Sequence, residues 1–297
     1  MHLIVVTGPT AVGKTQATLR LAQVFHAPII NADSRQIYAE LPIGTAAPTA
    51  EEQQQAQHYF VGNHSVTEYY SASIYEQEVL ALLQDLQGQH DIAILSGGSM
   101  MYIDAVCNGI DDIPTVNDDV RTKMKQRYEA EGLQALVDEL KQLDPIHWDV
   151  VDKNNPRRVI HALEICLQTG KPYSSFLKRE RKERPFSCIK IGLNRDRSVL
   201  YDRINQRTIA MVEDGFVDEA LKMYPYRHLN ALNTVGYKEM FDYLDGLVTL
   251  PDTIMKIQSA TRRYARKQLT WFKRDPEMRW FDPENVEEIL NYIRCKL

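Results

Sequence analysis

Apolar positions follow two rhythms along the chain. Leu3-Ile4-Val5-Val6 is a short continuous apolar run, the pattern of a strand buried on both faces. A loop over Gly8 to Gly13 follows it, and Ala17, Leu21, Val24 and Phe25 then recur at helical spacing over residues 14–25. The alternation continues with a strand at Ile29-Ile30, a helix over about 71–86, and a strand at Ile92-Ala93-Ile94-Leu95. Gly97-Gly98 stops that strand and a short helix follows. Strands alternating with helices predict a parallel sheet covered on both faces.

Near Ile113-Pro114 the rhythm changes. From there to about Arg184 the pattern is helical, with helices over about 117–131, 133–143 and 155–169, the last ended by Gly170. Strand character returns in Cys188 to Leu193, then helices over about 196–213, 214–223 and 252–274. Trp280-Phe281 reads as a short strand and 284–295 as a closing helix.

Composition narrows the partners. Among 297 residues, 35 Lys and Arg face 40 Asp and Glu, a net charge of −5, which excludes a protein that coats nucleic acid by bulk charge. A local basic face remains available. Residues 256–274 hold Lys256, Arg262, Arg263, Arg266, Lys267, Lys273 and Arg274 with no acid. Ile254, Ile257, Thr261, Tyr264, Gln268 and Trp271 recur at 3–4 spacing there and are expected to face the core, leaving the bases on the flanks. The mixed run Lys178 to Arg184 reads instead as a solvated linker or helix end. Four scattered cysteines offer no CxxC pair, so neither structural zinc nor a disulfide framework is expected. The N-terminal apolar run has no basic leader, and no stretch reaches the ~20 apolar residues of a membrane helix, so a cytoplasmic protein without membrane contact is expected.

Gly8-Pro9-Thr10-Ala11-Val12-Gly13-Lys14-Thr15 matches GxxxxGK[ST] between a predicted strand and a predicted helix. Such a loop turns several backbone N–H groups toward an anion, Lys14 adds a point charge, and the Thr15 hydroxyl can ligate Mg²⁺. The predicted fold class is therefore α/β: a P-loop NTPase-like parallel-sheet core in two parts, residues 1–112 and 185–297, with a helical insertion domain at 113–184. The loop specifies a diphosphate or triphosphate without saying which. NTPases usually also hold the metal with an acid at the end of a neighbouring strand, yet Ile92 to Leu95 ends in Ser96-Gly97-Gly98. Asp33, at the C-terminal end of the second strand, stands where ligands bind in open α/β sheets. It can take a proton from a nucleophile, hold metal-bound water, or simply cap the next turn.

With Asp33-Ser34-Arg35-Gln36-Ile37-Tyr38, Ile43-Gly44-Thr45-Ala46, Gly97 to Tyr102, Asn155 to Glu164, Val235 to Glu239 and Thr261 to Phe272 added in that order, the chain resembles the tRNA dimethylallyltransferases, also called tRNA isopentenyltransferases. The resemblance runs essentially end to end. It implies transfer of a dimethylallyl group from its diphosphate to N6 of the adenosine immediately 3′ of the anticodon, and an insertion domain that helps grip the anticodon stem-loop. It assigns Asp33, Lys14, Thr10 and Arg207 to catalysis, Gly8 to Thr15 to the diphosphate, and Thr15 to Mg²⁺. It assigns Asp33, Ser34, Arg35, Gln36, Ser99, Arg121, Arg157, Arg158, Val159, Ile160, His161 and Asn233, Thr234, Val235, Gly236, Tyr237 and Lys238 to tRNA. For Val159 and Ile160 the helical pattern itself reads as core. Four positions depart from the family's habit: Val12 for Ser, Ala47 for Lys, Ser99 for Thr and His161 for Arg.

The chemistry implied is coherent. An N6 amine is a poor nucleophile, so the donor's allylic C1–O bond must partly ionise, and the loop, Lys14, Mg²⁺ and Arg207 would hold the departing diphosphate. Asp33 would orient the amine and take its proton. A monomer is expected. The competing readings are an ATP-dependent nucleoside or nucleotide kinase and a non-catalytic RNA-binding module.

Overall fold

The structure, a computed structural model, describes residues 1–178 and 180–297. In chain order the first part contains β1 (His2–Thr7), α1 (Lys14–Phe25), β2 (Ile29–Asn31), α2 (Ala50–Gln55), β3 (His58–Tyr59), α3 (Ala72–Leu86), β4 (Ile92–Gly97) and α4 (Met100–Asn108). A helical stretch follows, with α5 (Asp118–Leu143), α6 (Pro145–Val150) and α7 (Pro156–Thr169). The last part holds β5 (Ser187–Leu193), α8 (Arg197–Glu213), α9 (Phe216–Met223), α10 (Tyr237–Leu244), α11 (Leu250–Phe272), β6 (Arg279–Phe281) and α12 (Val286–Arg294).

The strands form one parallel sheet in the order β3-β2-β4-β1-β5-β6. In β1, Leu3 to Thr7 are all buried, because alternate residues feed opposite faces. Ile4 and Val6 pack with residues of α1, α8 and α12, whereas Leu3 and Val5 pack with α3, α4 and Phe272. β1 lies between β4 and β5. The loops leaving β1, β2 and β4 therefore emerge side by side at the C-terminal edge of the sheet, where doubly wound sheets bind ligands.

By internal contacts the chain divides into two compact units, residues 1–108 with 183–297, and residues 109–182. The second unit has its own core of Met124, Leu136, Val137, Leu140, Val151, Val159, Ala162 and Leu163. The helices expected over 117–131 and 133–143 meet at Gly132, whose φ of 77° and ψ of 175° break α5 in two. Only a residue without Cβ takes that conformation cheaply. Buried Asp144 caps α6 through the His147 N–H and also accepts from the Ser174 N–H and hydroxyl.

Three elements of the first and last parts go beyond the sequence reading. α2 carries no buried residue and is closed by a Thr49–Glu52 capping box, β3 is two residues long, and α10 covers eight residues. α2 and β3 have no buried hydrophobic period to detect, whereas α10 shows one in Tyr237, Met240, Phe241 and Leu244 that the sequence reading passed over. In the helical unit, six-residue α6 is the further addition. The run Lys178 to Arg184 is not wholly solvated. The Arg184 side chain is 8% exposed and donates to Glu76 (2.5 Å) and to the Ala105 carbonyl (2.6 Å), while Lys182 pairs with Asp112 (2.8 Å). Arg179 lies outside the described residues. Among the described residues no helix is long and apolar enough to cross a membrane.

Candidate active site

The Gly8–Gly13 loop joins β1 to α1. Gly13 caps α1 at φ 110°, a conformation that keeps the loop tight and leaves the first N–H groups of α1 unpaired within the helix. Lys14 folds back over the loop and donates to the carbonyls of Gly8 (3.1 Å) and Pro9 (3.0 Å). Its desolvation draws the ammonium down to about 8; Asp33 opposes that shift and Arg207 adds to it.

Guanidinium groups brace this loop from the side of β5 and α8. Arg207 donates to the Thr10 hydroxyl (2.5 Å), Arg203 to the Ala11 carbonyl (2.8 Å), and Arg195 to the Val12 carbonyl (2.7 Å). Ala11 needs such a tie, since its φ of 65° is uncommon for a residue with a Cβ. Desolvation lowers the pKa of Arg207, with Asp33 opposing, but a guanidinium stays protonated. A side chain from α11 closes the arrangement. Gln268, 1% exposed, accepts from the Thr10 N–H (2.8 Å) and donates to the Gly98 carbonyl (2.8 Å), tying the phosphate loop to the turn after β4.

Asp33 stands just past the end of β2. One of its oxygens accepts the Arg35 N–H (2.9 Å), so the turn-capping role is real. Its other oxygen has no hydrogen-bond partner among the described residues. Next to it, the Ser99 hydroxyl accepts from the Ser34 N–H (2.7 Å) and donates to the Ser34 hydroxyl (3.1 Å), which fixes the Asp33–Gln36 turn against the segment after β4.

These parts open on one cavity of about 950 Å³ within the first unit. Thr10, Lys14, Thr15, Asp33, Arg207 and Gln268 all line it. Arg203, Tyr264 and Met211 do too, as does the Pro42–Ala47 segment. Burial, with Asp33 nearby, pushes the Tyr264 hydroxyl up, so it stays protonated. The donor set offers hard oxygens, a Thr15 hydroxyl and an Asp33 carboxylate. Among the described residues no group of three or more His, Cys, Asp or Glu could hold a metal unaided. That set fits a divalent cation bound through one or two protein oxygens and the oxygens of a phosphate ligand.

The remaining sequence-predicted residues fall in several places. Ser34, Arg35 and Gln36 are half-buried at the Asp33 turn, and Gln36 alone of the three lines the cavity. Asn233, Thr234 and Val235 are half-buried ahead of α10, Gly236 is buried and Lys238 is exposed. Tyr237 is fully buried, donating to Glu219. In the helical unit Arg157 and Arg158 are exposed on the first turn of α7, Arg121, Ile160 and His161 are half-buried, and Val159 is core. His161 packs edge-on against Tyr173 and its Nδ1 lies 3.5 Å from Glu164. Val159 and Tyr237 can therefore meet an outside partner only through their backbone.

On α11 the buried face runs through Thr253, Ile257, Ala260, Thr261, Ala265, Gln268 and Phe272. Gln268 is buried as expected and also reaches the cavity, whereas Tyr264, expected in the core, is half-buried and lines the cavity. Arg262 and Arg266 are engaged by Asn205 (2.6 Å) and Tyr201 (2.9 Å), while Arg263 and Lys267 stay exposed. Arg195, Arg203 and Gln268 were not singled out as site residues from sequence. Two signals pointed there: a glutamine in an otherwise core-facing stripe, and an arginine four residues before Arg207 on the same helical face.

Comparison with known proteins agrees with this geometry. The sequence profile of the family described as IPP transferase matches residues 36–275. The chain is 58% identical to tRNA dimethylallyltransferase 1 of Bacteroides thetaiotaomicron, over 99% of this chain and 96% of that protein. Among solved structures, the full-length tRNA isopentenylpyrophosphate transferase of Bacillus halodurans superposes with a TM-score of 0.73 at 37% identity, over 99% of this chain and 96% of that one. A eukaryotic dimethylallyltransferase acting on tRNA, at 24% identity, shares the fold with a TM-score of 0.78 over 96% of this chain and 75% of its own. The phosphate loop, the Asp33 turn and the α11 staple thus belong to a lineage matched across nearly the whole sequence: the chain is a member of the IPP transferase family.

Proposed function

We propose that this protein transfers the dimethylallyl group of dimethylallyl diphosphate to N6 of the adenosine on the 3′ side of the anticodon in tRNA, acting as a monomer and giving N6-isopentenyladenosine. The observation that carries the reading is one cavity with Lys14 and Arg207 at a phosphate loop and the Asp33 carboxylate acting on both of them. A kinase is not favoured, because β4 ends in Ser96 and Gly97 and supplies no metal-binding acid.

The loop N–H groups, Lys14 and Arg207 bind the diphosphate and stabilise the charge that grows on it as the allylic C1–O bond breaks toward it. A Mg²⁺ ion held by Thr15 and the diphosphate oxygens would offset more of that charge. N6 bonds to C1, and the N6 proton passes to Asp33, whose open oxygen is the acceptor. Thr10, held by Arg207 and Gln268, keeps the loop in register with the donor. The target base must leave its stack to enter a site closed to water, since an allylic cation would otherwise hydrolyse.

RNA contact is assigned to Ser34, Arg35, Gln36, Ser99 and residues 233–238 of the first unit, with exposed Arg263 and Lys267 following phosphates. Arg121 and residues 157–161 are assigned to the same task in the helical unit. The test is a single-turnover comparison of wild type with Asp33→Asn. Transfer into an anticodon stem-loop is expected to slow by about 100-fold or more while donor affinity stays within about threefold. An unchanged rate would remove Asp33 from its role.

A further inference from the structure

The Pro42–Ala47 segment forms one wall of the cavity, with Pro42, Ile43, Thr45, Ala46 and Ala47 lining it. Its backbone is tied from two sides. Glu219 on α9, 7% exposed, accepts the N–H groups of Ile43 (2.8 Å) and Gly44 (2.7 Å) and the hydroxyl of Tyr237. Gln36 donates its amide to the carbonyls of Thr45 (3.1 Å) and Ala46 (2.9 Å). The wall is strained and tightly backed. Ala46 has φ 49°, and a Cβ on Gly44 would collide with the rings of Phe216 and Tyr237. Burial and Glu219 push the Tyr237 hydroxyl up, so it remains a donor and Glu219 keeps three protons pointed at it.

We propose that Glu219 and Gln36 are positioning residues that hold this wall in place and thereby set the length of allylic chain the cavity accepts; this deepens, and rests on, the donor reading above. The wall presents apolar surface from Ile43, Ala46 and Ala47, and Met211 of α8 lines the same space. Neither Glu219 nor the Gln36 amide needs to touch the reacting atoms. Both act through the backbone they hold. If the wall shifts, the diphosphate site at the loop after β1 is untouched, while room for the hydrocarbon changes.

Two variants and two readouts test this. Glu219→Gln keeps the size but sets an amide donor against an N–H, and Gln36→Ala removes only the half-buried amide. Amide hydrogen exchange at Ile43 and Gly44 is expected to quicken by about tenfold or more in Glu219→Gln. In both variants the kcat/KM preference for dimethylallyl over geranyl diphosphate is expected to fall by about fivefold or more, while inorganic pyrophosphate inhibits within about twofold of wild type. Unchanged exchange, an unchanged preference, or pyrophosphate inhibition lost in parallel would each overturn the proposal. Should Glu219→Gln fail to fold, Gln36→Ala decides by its donor preference. A wild-type protein that transfers no prenyl group would sink the donor reading and leave the exchange test of the wall in force.

Discussion

Lys14 carries a prediction that depends on where its ammonium sits. In the unliganded protein desolvation brings it to about 8, far below a solvated lysine. A bound diphosphate adds negative charge beside it and raises that value again, so binding takes up protons. The sign follows: donor affinity is full where Lys14 is already charged and falls as pH rises through its free-protein value. Protonation is about nine-tenths at pH 7 and about one-tenth at pH 9, so the dissociation constant rises by roughly tenfold across that range. About half a proton is taken up per donor bound at pH 8. Arg207 stays charged throughout and contributes no slope. The assay is calorimetry with dimethylallyl S-thiolodiphosphate in buffers of different ionisation heat, with Lys14→Met as the control for protons exchanged by the ligand itself. Lys14→Met is expected to bind weakly and without pH dependence. A flat dissociation constant in wild type, or a slope that survives in Lys14→Met, would refute the reasoning.

Other consequences are as direct. Gln268→Ala removes one part-buried and one buried hydrogen bond worth about 1–3 kcal/mol together and frees Thr10, so kcat/KM for the donor is expected to fall by about tenfold or more in steady-state kinetics. Glu76→Ala leaves Arg184 charged and buried, and is expected to cost about 3–5 kcal/mol in denaturant unfolding; a loss below about 1 kcal/mol would mean water reaches the site. Arg263→Ala with Lys267→Ala is expected to weaken tRNA binding and to lower the slope of log affinity against log salt by about 2, leaving donor affinity unchanged.

Much of this architecture was legible because it repeats. The runs at Leu3–Val6 and 92–95 are continuous and apolar, as strands covered on both faces must be, and 188–193 keeps that character around Lys190; they became β1, β4 and β5. The phosphate loop was legible for a different reason: its backbone shape demands particular residues at fixed spacing. What escaped were contacts made by long polar side chains between distant segments. Gln268 meets Thr10 across 258 positions and Glu219 meets Ile43 across 176, and no local pattern marks such pairs. Tyr264 was misplaced because a helical stripe reports which residues face inward, not whether inward means core or cavity. Arg184 was hidden in a run of mixed charges whose composition reads as solvated.

Incubation of the protein with Mg²⁺, unmodified tRNA and dimethylallyl diphosphate carrying label in the prenyl group, followed by nucleoside analysis of the RNA, tests the central claim most directly. Label in N6-isopentenyladenosine at the position 3′ of the anticodon, one prenyl group per tRNA, is the expected result. RNA without label, with phosphate instead passing from ATP to a small acceptor in a parallel reaction, would contradict it.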